Sequence, residues 1–450
     1  MIRLLTTALL LCCFAQSQGQ PSETKAAIDG ILSEISVPTF PSYTTKVTRF
    51  GAKGDSISDD HLAFAKAMAA CKKKGGGTIV VPAGTYTLHG PIHFVSNVRL
   101  HLDQGAKIRF GSNPADYLPM VITSWEGTML YNYSPMIYAY QAENIAITGE
   151  GTIDGEGHLW MDWKQKEQAD KQHSRDMNHA STPITERQFG EGHYLRPQLL
   201  QFFDCKNILI EGIHVEDSPF WCLHMLRCSN ITMRGLSYDA HNKNNDGIDL
   251  EYSRNVLIED IDFNNADDNI AIKAGRDHEG RANSITPSEN IVARNCRFQG
   301  LHALVVGSEM AAGVRNVYVQ DCQASGYLKR GIYLKTNTDR GGYIQNIHMD
   351  RVSLLEVEDC FYITSNYHNE GSGEYPSQVS DIYISNVTCQ SANQSAIVIQ
   401  GHPDKKIKNI QLRNIKVKEA KYGLSITDAL DVTLEEIIVG KDITAPTSVH

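Results

Sequence analysis

Across the second two thirds of the chain, apolar and polar positions alternate in short runs, each opened by Asn or Asp and then Ile or Val. The motif stands as Asn144-Ile-Ala-Ile, Asn207-Ile-Leu-Ile, Asn230-Ile-Thr-Met, Asn255-Val-Leu-Ile, Asn290-Ile-Val-Ala, Asn316-Val-Tyr-Val, Asn346-Ile-His-Met, Asp381-Ile-Tyr-Ile, Asn409-Ile-Gln-Leu and Asp431-Val-Thr-Leu. From Asn207 onward the intervals are 23, 25, 35, 26, 30, 35, 28 and 22 residues. A period of two within each run predicts strands, because successive side chains on a strand point to opposite faces, and it excludes helical repeats. Units this short cannot bury their own apolar face, so neighbours must stack. The pattern predicts an all-β parallel solenoid with equivalent positions one strand spacing, about 4.8 Å, apart.

A solenoid needs its ends covered. Asp60–Lys72 predicts an amphipathic helix with Leu62, Ala65, Met68 and Ala69 on one side, placed to cap the first coil. The run Lys72-Lys-Lys-Gly-Gly-Gly77 ends it, and Thr78-Ile-Val-Val-Pro82 opens a strand. Residues 155–197 break the rhythm: they are polar, rich in Lys, Gln, His and Asp, and carry Trp160 and Trp163. They predict an insertion over one face, whose tryptophans suit either a sugar-stacking platform or an anchor to the body.

Composition narrows the picture further. With 41% hydrophobic and 21% charged residues in 450, the chain is neither disordered nor a multi-spanning membrane protein. Residues 1–20 carry Arg3, an apolar run and small residues near Ala15, Ser17 and Gly19, the layout of a secretory signal. The domain reading is therefore a signal at 1–20 and a solenoid at 21–450, exported to the periplasm or the medium, monomeric and without a membrane span. A formal charge of −10 disfavours a nucleic-acid partner. The eight cysteines outside the signal lack the CxxC pairs of a zinc site. Several follow a polar residue, as in Asp204-Cys205, Arg227-Cys228, Asn295-Cys296 and Asp321-Cys322, which suits small buried residues in a repeat. Disulfides remain open for an exported chain, and their pairing cannot be read.

The repeat gives the acidic residues their meaning. Asp246 lies 16 residues after its anchor, Asp267 and Asp268 lie 12 and 13 after theirs, His302 12 and Arg330 14. All fall in the same part of successive coils, on one outward face. Asp267 and Asp268 both serve that face only at a strand end or bend, since consecutive strand residues diverge. Carboxylates crowded on neighbouring rungs raise at least one pKa, giving a protonated acid beside ionised partners. Inverting glycoside hydrolysis needs that pair: an acid for the leaving oxygen and a base for water, about 6.5–9.5 Å apart. The assignment is Asp267 as acid and Asp246 with Asp268 as the water-activating pair, with His302 tuning the acid or holding substrate. Lys335, Arg330, Arg276 and Lys273 are candidates to meet an anionic sugar, which this acidic chain would otherwise repel; the bland reading of each is a surface charge.

At these residues the chain resembles family 28 glycoside hydrolases, the polygalacturonase family. Its motifs stand here as Asn244-Asn-Asp-Gly-Ile-Asp249, Ala266-Asp-Asp-Asn-Ile-Ala-Ile-Lys-Ala-Gly275, Gly300-Leu-His-Ala303 and Gly331-Ile-Tyr-Leu-Lys-Thr336. The resemblance implies a right-handed parallel β-helix and inverting hydrolysis of galacturonic-acid linkages without metal or cofactor. It implies Asp267 as proton donor, Asp246 and Asp268 activating water, His302 assisting, and Lys335 and Tyr367 binding substrate. The chain departs from the family pattern at Asn245, Leu301, Ala303 and at Tyr333, where the family has Arg. Gly307-Ser-Glu-Met310 and the long insertion look more like exo-acting members. Two alternatives are a calcium-dependent pectate lyase, disfavoured because no Arg or Lys is expected on the rung between the acids, and a non-catalytic carbohydrate-binding solenoid.

Overall fold

The computed structural model describes residues 19–283, 286–369 and 371–440, so most of the expected signal, and residues 441–450, lie outside the described residues. The chain winds as a right-handed parallel β-helix whose sheets run along its length. On one sheet the inward row reads Leu200, Leu223, Ile248, Ile270, Leu304, Ile332, Phe361, Ile397 and Leu424, each in register with the next. A second sheet stacks Ile208, Ile231, Val256, Ile291, Val317, Ile347, Ile382 and Ile410, the apolar residues that follow the anchors. These rows form one continuous buried core. A third, shorter sheet covers the early coils from Asp55–Asp59 to Ser237–Asp239.

The anchors recur for a physical reason. Each turns the chain with a positive φ, for example 56° at Asn207 and 59° at Asn290, a conformation Asn and Asp tolerate better than other residues with a Cβ. Their side chains form a ladder in which each Nδ2 donates to the previous Oδ1. The steps are Asn207 to Asn144 at 3.0 Å, Asn290 to Asn255 at 3.1 Å and Asn316 to Asn290 at 2.9 Å. The cysteines belong to a similar turn: Asp204, Arg227, Asn295 and Asp321 take positive φ just before a buried Cys. All eight cysteines of the described residues are free and buried.

The capping helix forms at His61–Lys73, but its buried side is Ala63, Phe64, Ala67, Met68 and Cys71. Leu62 is 65% exposed, which corrects the expected face. Phe64 decides the rotation by packing edge-on against Tyr86 at 5.8 Å. A helix the pattern did not announce, Gly19–Glu34, lies along the second sheet and packs Ile28 and Ile31 with Val292 and Tyr318. The 155–197 segment holds helices Met161–Lys166 and Gln168–His179. Trp160 is buried against Tyr117 and Trp163, and the half-buried Trp163 packs against Tyr133 and Tyr194, so the tryptophans anchor the segment to the body. No helix of the described residues is long and apolar enough to cross a membrane.

Candidate active site

The outward face of the first sheet carries the acidic cluster. Asp246 closes a loop just before the Ile248–Glu251 strand, and Asp267 and Asp268 lie at the start of the next one, Asn265–Lys273. That strand is irregular where it matters: its register with the following coil shifts between Asn265 and Asp268. Asn265 pins the bend by donating from Nδ2 to the carbonyls of Asn245, Asp267 and Asp268 at 2.9–3.2 Å. Both aspartates can therefore serve one cleft. Asp268 aligns with His302 on the next rung and His302 with Arg330 on the one after, so the residue spacing translates into contact.

His302 Nδ1 lies 2.6 Å from Asp268 Oδ1, and Lys335 Nζ donates to Asp268 Oδ2 at 3.1 Å. His302 Nε2 is buried without a hydrogen-bond partner. Tyr367, half-buried, shares with Tyr333 the surroundings of the Lys335 ammonium, which lies 5.3 and 5.1 Å from their rings. Arg330 packs its guanidinium over Tyr333 and Tyr362 at 4.2 and 4.1 Å and bonds Asp359 through Nε at 3.3 Å.

Lys273 and Arg276 go elsewhere than expected. The Arg276 guanidinium is buried between Glu309 at 2.5 Å and Glu126 at 3.5 Å, which places it behind the cleft rather than in it. Lys273 is buried at 3.8 Å from Asp246, 3.5 Å from Asp249 and 3.6 Å from Glu309. Lys273 ends the strand that carries Asp267 and Asp268 and is in register with Glu251, so it lies on the rung of those acids and not on one between them and Asp246.

These surroundings pull the carboxyls apart. Burial, reinforced by the Asp268 charge, raises Asp267 to about 6. Asp268 is also buried, but the Lys335 charge and the His302 hydrogen bond hold it well below the usual carboxylate range. Burial and then the Asp249 and Asp267 charges push Asp246 well up. Burial lowers His302 in spite of its bond to Asp268. Asp267 is the most open of the three, so a carboxyl that keeps its proton in mildly acidic water faces the cleft beside a firmly ionised one.

The cleft has one closed end. Its floor runs in register through Gln201, His224, Asp249, Ala271, Val305, Tyr333, Tyr362, Val398 and Ser425. Gln201, His224 and Asp249 are fully buried, Tyr362 and Val398 half-buried, and Ser425 exposed. An antiparallel hairpin, Val121–Trp125 and Thr128–Asn132, roofs the N-terminal rungs. Thr123 Oγ1 donates to Gln201 Oε1 at 2.8 Å and Ser124 Oγ to Glu251 Oε2 at 2.9 Å. The Gln168–His179 helix holds the hairpin through Lys171 and Arg175, at 2.7 and 3.2 Å from Glu126.

Residues 71–434 match the glycosyl hydrolases family 28. The chain belongs to that family. It is therefore a glycosidase. A hyperthermoactive exopolygalacturonase from Thermotoga maritima is similar in structure, with a TM-score of 0.89 and 36% identity over 93% of this chain and 96% of that one. A family 28 exopolygalacturonase from Yersinia enterocolitica shares the fold at a TM-score of 0.75 and 21% identity, covering 91% of this chain and 77% of that one. The endo-polygalacturonase of Pectobacterium carotovorum is 25% identical over 85% of this chain and 89% of its own.

In this family 28 enzyme, Asp249, Glu309 and Glu126 were not singled out from sequence. Asp249 was legible, since it stands three residues after Asp246 within the same motif. Glu126 was not: it lies 150 residues from the arginine it pairs with, and no repeat links the two.

Proposed function

We propose that the protein is an exo-acting, inverting hydrolase of α-galacturonosidic linkages in pectic poly- or oligosaccharides. The observation that carries the reading is the contrast between Asp268, bonded by His302 and Lys335, and Asp267 beside it, which is the more open to the cleft. Asp267 gives its proton to the leaving glycosidic oxygen, while Asp246 and Asp268 hold a water on the opposite face of the sugar and the ionised member of that pair takes its proton. His302, whose Nε2 has no protein partner, offers a hydrogen bond to substrate, and its Nδ1 contact with Asp268 fixes the ring. Lys335, Arg330 and Tyr367 meet the substrate carboxylate, supplying the local positive charge that an acidic chain must provide.

The sealed floor supports exo action. A polymer cannot run past Gln201 and His224 beneath the hairpin, so it enters by its end and extends toward the open rungs at Val398 and Ser425. The reading includes export through the leader-like residues 1–20 and action as a monomer.

The donor chemistry favours hydrolysis over a calcium-dependent lyase. Asp267, Asp268 and His302 lie close enough, within 4.8 Å, to surround an ion. Calcium takes six to eight oxygens, however, and here one donor is an imidazole and Asp268 already faces the Lys335 ammonium. Lys273 is a poor lyase base as well. Burial would lower its pKa, but Glu309, Asp249 and Asp246 together raise it well above the ordinary value and keep it protonated.

The test incubates purified protein with oligogalacturonides, with and without a chelator, following reducing ends and the absorbance of unsaturated sugars. The reading expects reducing ends without unsaturation, unaffected by chelation, and galacturonic acid as the first product. Unsaturated products lost on chelation would establish the lyase, and binding without turnover the non-catalytic solenoid. A ladder of intermediate sizes would overturn exo action.

A further inference from the structure

Next to Asp246 sits a buried ammonium, that of Lys273, to which the proposed chemistry gives no part. Lys273 Nζ stands 3.5–3.8 Å from carboxylate oxygens of Asp246, Asp249 and Glu309, beyond the 2.7–2.9 Å of a charge-assisted hydrogen bond to any one of them. It occupies a centre rather than forming one tight pair. The Trp221 ring lies 4.6 Å from the ammonium. Glu309 is held by Arg276 at 2.5 Å and by the Ser308 hydroxyl at 3.1 Å. Asp249 is fully buried, and neither of its oxygens has a hydrogen-bond partner, so Lys273 is the positive charge it faces.

We infer that Lys273 is a positioning residue, the centre of a three-carboxylate clamp that sets the orientation and charge of Asp246. The inference rests on Asp246 acting on water as proposed above. Removing an ion's partner from a buried site leaves an uncompensated charge, which the site relieves by taking up a proton. Without Lys273, Asp246 and Asp249 face each other with only negative neighbours close by. The charged and titratable groups facing Asp246 are Asp249 from the strand that follows it, Asp267, Asp268 and Lys273 from the next, and the Cys222 thiol from the rung before. Only Lys273 among them favours the ionised form. The clamp also ties the site to the roof, because Glu309 continues through Arg276 to Glu126 and so to Lys171 and Arg175 of the insertion.

The test compares wild type, Lys273→Met, Asp249→Asn and the double variant by the pH profile of kcat/KM on a galacturonide oligomer. Lys273→Met should lower kcat by about tenfold or more, leave KM nearly unchanged, and move the acidic limb up by about one pH unit or more. The double variant should return the limb toward wild type, because deleting the facing carboxylate removes the repulsion that Lys273 had offset. A raised KM with unchanged kcat would instead mean direct substrate contact, and a limb that stays put, or no recovery in the double variant, would leave Lys273 a structural residue; either overturns the clamp. If Lys273→Met fails to fold, Asp249→Asn alone still decides: the clamp expects the limb to move down, and an unmoved limb overturns it. Titrating the carbon-13 carboxyl resonance of Asp246 in the same variants reads the shift without turnover, so a failed substrate assignment is told apart from a failed clamp.

Discussion

Asp267 and Asp268 are adjacent in the chain and opposite in behaviour, and the difference lies in what each faces. Asp268 is encircled by His302 and Lys335, whereas Asp267 has burial and a negative neighbour. Asp267→Asn should lower kcat by at least about a hundredfold through loss of the general acid, with the circular dichroism spectrum unchanged. The same substitution predicts a pH-dependent gain in stability. A carboxyl raised from 3.8 to about 6 binds more protons folded than unfolded between those values. Its contribution is complete below the unfolded pKa and is lost as pH rises through about 6. The variant should therefore melt above wild type at pH 8 and lose that advantage near pH 4, as scanning calorimetry would show. Equal melting temperatures at pH 8 would contradict the raised value.

Among the elements, the asparagine ladder and the roof do different work. Asn290 sits mid-ladder, donating to Asn255 and accepting from Asn316 in a positive-φ turn. Asn290→Ala loses two hydrogen bonds and a tolerant backbone residue, which predicts about 1–3 kcal/mol of destabilisation in urea with kcat per folded molecule preserved. The repeat announced the anchors and their stacking, while the hydrogen bonds that join their side chains came from the structure. The roof was not announced. The Val121–Trp125 and Thr128–Asn132 hairpin is joined to the site by Thr123, Ser124 and Glu126, contacts that cross 78 to 150 residues of sequence. The capping helix shows a finer limit: two apolar stripes were available on it, and only the neighbouring Tyr86 selected the one that carries Phe64.

For the whole molecule, the stacking of coils makes distant parts nearly independent, since each rung touches mainly its neighbours. The Gly19–Glu34 helix covers Val292 and Tyr318 on the second sheet, not the sheet that carries the aspartates. A chain starting after residue 36 should lose several degrees of melting temperature, by analogy with other exposed apolar surfaces, and keep its kcat/KM; a collapse of activity without unfolding would refute that separation. The coil architecture and the shared part of the coil held by Asp246, Asp267, Asp268, His302 and Arg330 were written in the sequence, because a strand period and a repeat length are local properties that stacking merely adds up. Which carboxylate each lysine and arginine pairs with, and which end of the cleft is roofed, were decided only by the tertiary structure. Charge pairing and roofing depend on where loops from far-apart coils come to rest, and no local pattern encodes that.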